Sequence, residues 1–198
     1  MSDAEHWDQR YATGNIPWET GQPSSELVRV VTEQRITPCR AIELGCGTGA
    51  SAVWLAQRGF DVTGVDISPR ALNRARRRAA QEAVAVTFLE ADVLQPPAGL
   101  VGPFDLFFDR GCYHVVRRIS NALYVATLLK LTVPGSVGLV LAGNAREPLQ
   151  PGPPVVTEEE VRTELGKDFT ILWLREFRFN QSEGSDVRPL GWSCGLRR

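Results

Sequence analysis

Four acidic side chains stand at or near the ends of short apolar runs: Glu43 in A-I-E-L, Asp66 in V-T-G-V-D, Asp92 in F-L-E-A-D and Asp109 in L-F-F-D. Between the first two lie three glycines at alternate positions, Gly45, Gly47 and Gly49. A carboxylate can accept hydrogen bonds from both hydroxyls of a vicinal diol, or pair with a cation. Glycines let the backbone take positive φ and approach a ligand closely. These types and spacings suit a nucleotide-like cofactor held at the carboxyl ends of parallel strands. The run D-R-G-C-Y-H at 109–114 follows the last acid and adds an arginine, a thiol and one of the chain's two histidines.

Holding those residues in place takes alternating strands and helices, and the sequence pattern supplies them. Residues 40–44 read as a first strand. A helix from about 49, stopped by Gly59, leads to a second strand at 60–65. Ser68-Pro69 reads as a cap followed by proline at the first helical position, opening a helix to about 82. Strands at 84–89 and 104–108 are separated by a proline-rich link. A helix over 121–131 is cut off by Pro134-Gly135 before a strand at 137–142. Residues 147–154 read as a loop, and Thr157 with Glu160 as the capping box of a short helix. Two β-rich runs, 169–179 and 190–197, joined by the polar segment 180–188, close as a hairpin. The expected fold is α/β: five β-α units and the hairpin, in a seven-stranded, mostly parallel sheet with one antiparallel strand and helices on both faces. Residues 36–198 form the core of a single domain. Residues 1–35 form an amino-terminal flap and helix: a short helix over 3–12, a loop broken by Gly14, Pro17, Gly21 and Pro23, then an amphipathic helix from Ser24 or Ser25 to about Gln34.

With 198 residues and 43% hydrophobic content the chain can bury a full core. Its net charge of −1 gives no reason to expect nucleic acid or an anionic membrane as partner. Arg70, Arg74, Arg76, Arg77 and Arg78 cluster on one helix, but Leu72, Ala75 and Ala79 define its inward face, so the arginines read as a solvated surface. The first thirty residues hold no signal-type apolar block, and no run is long enough to span a bilayer, so the cytoplasm is expected. Cys39, Cys46, Cys112 and Cys194 show neither a C-x-x-C pair nor zinc spacing, which argues for free thiols and no metal. The expected partner is a small molecule, and the protein a monomer or homodimer.

Gly45, Gly47 and Ala50 satisfy the G-x-G-x-x-G/A spacing, and Asp66 lies where a ribose-binding acid is expected, so a nicotinamide cofactor has to be weighed. Against it, Glu43 precedes the turn, where a carboxylate would repel a pyrophosphate but suit a cationic cofactor. Asp92 adds a further acidic strand end. The runs E-L-G-C-G-T-G (43–49), V-T-G-V-D-I-S (62–68), F-L-E-A-D-V (88–93) and P-F-D-L-F-F-D (103–109) together resemble the class I S-adenosylmethionine-dependent methyltransferases. That resemblance implies a Rossmann-like sheet with S-adenosylmethionine as cofactor. It places Gly45, Cys46 and Gly47 against the methionine part, with Glu43 near it. Asp66 would take the ribose hydroxyls, Ile67 an adenine face, and Asp92 with the Val93 backbone the adenine edge. Asp109 is grouped with these cofactor-site residues.

The D-R-G at 109–111, with W-D-Q-R-Y-A-T-G…P-W-E-T-G-Q-P (7–23) and P-L-G-W-S-C-G-L-R-R (189–198), further resembles the thiopurine/thiol S-methyltransferase branch. By that resemblance Trp7, Tyr11 and Trp18 help close the cofactor site and Arg110 lies near the acceptor. Cys112-Tyr113-His114 departs from that branch's apolar residues, which counts against a purine thiol. No N-P-P-Y run follows the fourth strand, which counts against an exocyclic nitrogen acceptor. S-methylation of a small thiol is the expected reaction, with Arg110 holding an anionic acceptor and His114 as candidate base; a packed histidine is the alternative for that position. O- or N-methylation of a phenol or amine, and a cofactor-binding protein without catalysis, are the competing functions.

Overall fold

In the computed structural model, which describes residues 3–148, 152–180 and 187–198, strand residues alternate between two cores. Along β1 (Arg40–Leu44), Ala41 packs to one side while Ile42 and Leu44 pack to the other. Along β4 (Phe104–Arg110), Leu106 and Phe108 share the Ala41 side and Phe107 the opposite one. Strands buried on both faces require helices on both faces. On one side lie α2 (Ser25–Glu33), α3 (Ala50–Ala56) and α4 (Pro69–Gln81), through Leu27, Val53, Leu55, Leu72 and Ala75. On the other lie α5 (Tyr113–Leu131) and α6 (Glu158–Leu165), through Tyr124, Leu128, Val161 and Leu165. Each fully buried Leu or Phe contributes about 1.5–3 kcal/mol, which makes the strand ends a rigid platform.

The remaining strands are β2 (Asp61–Asp66), β3 (Thr87–Glu90), β5 (Thr132–Asn144), β6 (Val155–Val156), β7 (Thr170–Arg178) and β8 (Leu190–Arg197). The sheet order is β3-β2-β1-β4-β5-β8-β7, with β6 paired to the end of β5. β8 runs antiparallel to both its neighbours, and the other pairings are parallel. Strand order therefore reverses between β1 and β4, which opens the crevice where open α/β sheets bind ligands. α1 (Asp3–Thr13) lies outside the two cores, against α4.

Three features differ from the sequence expectation. The two-residue β6 raises the strand number to eight, because Val155–Val156 extends the sheet beside Gly143 and Asn144. Residues 91–103 connect β3 to β4 without a helix, so that β-α unit is missing. α5 starts eight residues before position 121, because the Asp109 carboxylate captures the backbone N–H groups of Cys112 and Tyr113 and launches a helical turn there. The extended backbone at Ser120 (φ −160°, ψ 102°) then divides α5, which hides its period from a sequence reading. The caps at Ser68 and Thr157 form as expected, and Ser24 caps α2. Parts of the 147–154 loop and the 180–188 segment lie outside the described residues.

Candidate active site

The carboxyl end of β1 leads into a turn with φ of 65° at Gly45, 54° at Gly47 and 76° at Gly49, a region that disfavours residues with a Cβ. Space also excludes side chains there: a Cβ at Gly45 would lie 2.7 Å from the Cys112 Cβ, and one at Gly47 2.9 Å from the Tyr11 hydroxyl. Asp66 holds the turn in place. Its Oδ2 accepts from Gly47 N–H at 2.7 Å and its Oδ1 from Ser68 N–H at 2.9 Å, joining the turns after β1 and β2. Burial raises the Asp66 carboxyl above the usual range, against the pull of those backbone donors. Each oxygen keeps acceptor capacity for a ligand hydroxyl.

Glu43 sits between Gly64 and Phe108 in the register, 5% exposed. Its Oε2 has no hydrogen-bond partner among the described residues. Burial pushes the carboxyl up to about 8, while the Ala52 N–H and the field of Arg110 draw it back. A buried carboxylate short of a partner is costly until a cation or donor meets it. Asp92 lies half-buried with Oδ1 accepting from Leu94 N–H at 2.8 Å; Ile67 is half-exposed and Val93 buried. The Cys112 thiol, raised chiefly by burial, also feels Asp109, Asp66 and Asp92, so these strand ends surround one space. Cys46 is buried in the same way between Asp66 and Glu43.

Asp109 plays a different part from the other acids. It is 0% exposed and accepts from Cys112 N–H at 2.9 Å, Tyr113 N–H at 2.9 Å and the Tyr124 hydroxyl at 2.8 Å. Burial lifts its carboxyl to about 7. With both oxygens engaged and no exposed surface, Asp109 scaffolds the turn that carries Arg110. His114 also needs correction as a base. Gly143 N–H donates to its Nδ1 at 2.9 Å, so by this hydrogen-bond network the neutral ring carries its proton on Nε2 and has no lone pair to spare. Burial, and then Arg110, lower His114 to about 3. It ties α5 to β5 as a neutral ring.

Arg110 Nη1 donates to the Trp18 carbonyl at 3.0 Å, and its guanidinium lies 5.3 Å from the centre of the Phe179 ring. Burial lowers its pKa, opposed by Glu19 and Glu43. Trp7, Tyr11 and Trp18 pack together, the two indoles edge-on at 5.5 Å. Three of the arginines read as solvated in fact fasten this flap. Arg70 pairs with Asp8 at 2.8 Å, Arg74 donates to the Tyr11 carbonyl at 2.8 Å, and Arg78 donates to the Gly21 carbonyl at 2.8 Å. Glu19 adds a hydrogen bond from the Thr48 hydroxyl. On the far side, Asn180 Oδ1 accepts from Ser25 N–H at 3.0 Å and its Nδ2 donates to the Pro23 carbonyl at 3.1 Å. Sequence reasoning missed Glu19, Thr48, Phe179 and Asn180. Glu19 alone carried a local signal, lying beside Trp18 in the flap.

Comparison with known proteins gives the family. Residues 2–187 match the thiopurine S-methyltransferase family. The chain belongs to that family. It is an S-adenosylmethionine-dependent methyltransferase that acts on a small molecule. The 2-heptyl-1-hydroxyquinolin-4(1H)-one methyltransferase of Mycobacteroides abscessus is 30% identical over 158 residues, covering 78% of this chain and 69% of its own length. A solved structure described under the conversion of a disulfide bond into a thioacetal group during echinomycin biosynthesis has TM-score 0.85 and 25% identity, over 100% of this chain and 92% of its own. The magnesium protoporphyrin IX methyltransferase of Synechocystis PCC 6803 with bound S-adenosylmethionine shares the fold, with TM-score 0.71 and 18% identity over 100% of this chain and 98% of its own.

The methyltransferase has a donor set that fits its cofactor. The unpartnered Glu43 oxygen suits a cationic group, the glycine turn leaves room for a ligand backbone, and Asp66 can receive a diol. A basic or pyrophosphate-binding site would need the opposite charge at Glu43. Among the described residues no helix is long and apolar enough to cross a membrane.

Proposed function

We propose that this methyltransferase methylates the sulfur of a small anionic thiol. The observation that carries the reading is the engaged Nδ1 of His114, which feels the field of the half-buried, cationic Arg110. Asp109 is also fully engaged, so among the described residues neither it nor His114 is ready to take a proton beside the Arg110 anchor. Such a pocket suits a nucleophile that ionises unaided. A thiol with pKa near about 8.5 does so at neutral pH far more readily than a phenol near about 10.

When bound, S-adenosylmethionine supplies a sulfonium methyl group for in-line displacement. On this reading Glu43 meets the positive charge, Asp66 the ribose hydroxyls, Ile67 and Asp92 with the Val93 backbone the adenine, and Gly45, Cys46 and Gly47 line the methionine part. Trp7, Tyr11 and Trp18 exclude water above it. Arg110 holds the acceptor's negative charge, and Phe179 offers its ring beside that charge. Alignment of this kind is worth roughly 7–11 kcal/mol in favourable cases.

The family's description as thiopurine S-methyltransferases and the structure described for disulfide conversion support a sulfur acceptor. The Mycobacteroides relative, named for a hydroxyquinolinone, keeps an acidic oxygen as the second reading. Initial rates with an arenethiol and its matched phenol decide between them. Methylation of the thiol at least about tenfold faster is expected, and faster methylation of the phenol overturns the sulfur assignment.

A further inference from the structure

Trp18 touches both halves of the site. Its backbone carbonyl accepts from Arg110 Nη1 at 3.0 Å, and its indole Nε1–H donates to the Tyr11 hydroxyl at 3.3 Å. That hydroxyl stands over the glycine turn, 2.9 Å from where a Cβ would project at Gly47. The indole is held on other sides by Arg10, 4.3 Å from its ring centre, and by the edge of Trp7. Tyr11 is buried and its carbonyl receives Arg74. Among the described residues no acceptor takes the Tyr11 hydroxyl proton, which leaves it available at the turn.

We propose that Trp18 and Tyr11 are positioning residues that link Arg110 to the cofactor turn, so that the acceptor-side arginine helps set how tightly the cofactor is held. The inference rests on the assignment of the two half-sites given above. The link is positional, since the carbonyl and the indole N–H of Trp18 are not conjugated and pass no charge between them. Arg110 fixes the Trp18 backbone, the backbone fixes the indole, and the indole fixes the Tyr11 hydroxyl over Gly47. An anionic acceptor competes with the Trp18 carbonyl for the same guanidinium. Occupancy of either half-site is then felt at the other, as linkage requires.

A double-mutant cycle on the affinity for demethylated cofactor, measured by calorimetry on the full chain, tests the link without needing the acceptor. Arg110→Met removes the donor, Trp18→Phe the indole N–H while keeping the carbonyl, and Tyr11→Phe only the hydroxyl. Arg110→Met is expected to weaken binding about fivefold alone, within the usual range of site coupling. In the Trp18→Phe or Tyr11→Phe background its further effect should fall below about 1.5-fold. Arg110→Lys, which keeps a donor for the carbonyl, should recover most of the affinity. A purely structural Trp18 would lower the thermal midpoint and leave the Arg110 effect intact. Losses that multiply across the cycle, or no Arg110→Met effect in the wild-type background, overturn the proposal. Failure to methylate any thiol would overturn the sulfur assignment while leaving the coupling measured by the cycle unchanged.

Discussion

On the proposed assignment the two halves of the site are built by opposite strategies. The cofactor half comes from consecutive strand ends, with Glu43, the glycine turn, Asp66 and Asp92 all within one run of β-α units. Among these acids Glu43 has an oxygen, Oε2, with no partner among the described residues. The acceptor half is assembled from distant segments: Arg110 meets Trp18 across 92 residues, and Asn180 meets Ser25 across 155. There the ionisable groups Asp109 and His114 are satisfied by the chain. On this reading the cofactor half is shaped to receive charge, whereas the acceptor half holds one arginine still and keeps Asp109 and His114 engaged.

The largest break should come on the cofactor side. Gly45→Ala sets a Cβ 2.7 Å from the Cys112 Cβ at a φ of 65°. It should cost about 1–3 kcal/mol of stability by denaturant titration. Displacement of the turn should weaken cofactor binding by about 100-fold or more in calorimetry. On the acceptor side, Arg110→Met removes a half-buried charge, and loss of its pairing with an anionic acceptor is worth about 2–5 kcal/mol. The acceptor KM should rise by about 30-fold or more, well beyond the about fivefold change in cofactor affinity. Equal effects on both ligands would erase the division between the halves.

Glu43→Gln sharpens the contrast in the other direction. Losing a charge-assisted contact of about 1.5–3 kcal/mol should weaken cofactor binding about tenfold or more. The cofactor-free enzyme should gain stability. A carboxyl raised from 4.5 to about 8 binds more protons folded than unfolded between those values. Stability therefore falls as pH rises through that window, and the glutamine variant escapes the fall. The variant's thermal midpoint should exceed wild type by more at pH 8 than at pH 5, as differential scanning calorimetry can check. The smallest effect is expected for His114→Asn, whose amide oxygen can still accept from Gly143. Its rate should drop less than about tenfold, against the 10²–10⁴-fold typical of a lost general base.

Legibility in the sequence divides along the same line. The mostly parallel α/β sheet, the caps at Ser68 and Thr157 and the placing of Glu43, Asp66 and Asp92 at or near strand ends were readable because local spacing encodes them. The early start of α5 was not, since it depends on a buried carboxylate at Asp109 that looks like one more strand-end acid. His114 stayed open between a base and a packed ring because sequence shows a ring type and not the N–H donated to it. The arginines of α4 read as solvated because their partners, Asp8 and the Tyr11 and Gly21 carbonyls, sit some sixty residues earlier in the chain. Phe179 and Asn180 carry no motif at all; they matter through where β7 ends.

The most direct test of a base-free acceptor site is the pH dependence of kcat/KM for two thiols of different acidity. The ascending limb should follow each thiol's own pKa and be unchanged in His114→Asn. A midpoint that stays fixed across both thiols, and disappears in His114→Asn, would contradict the account.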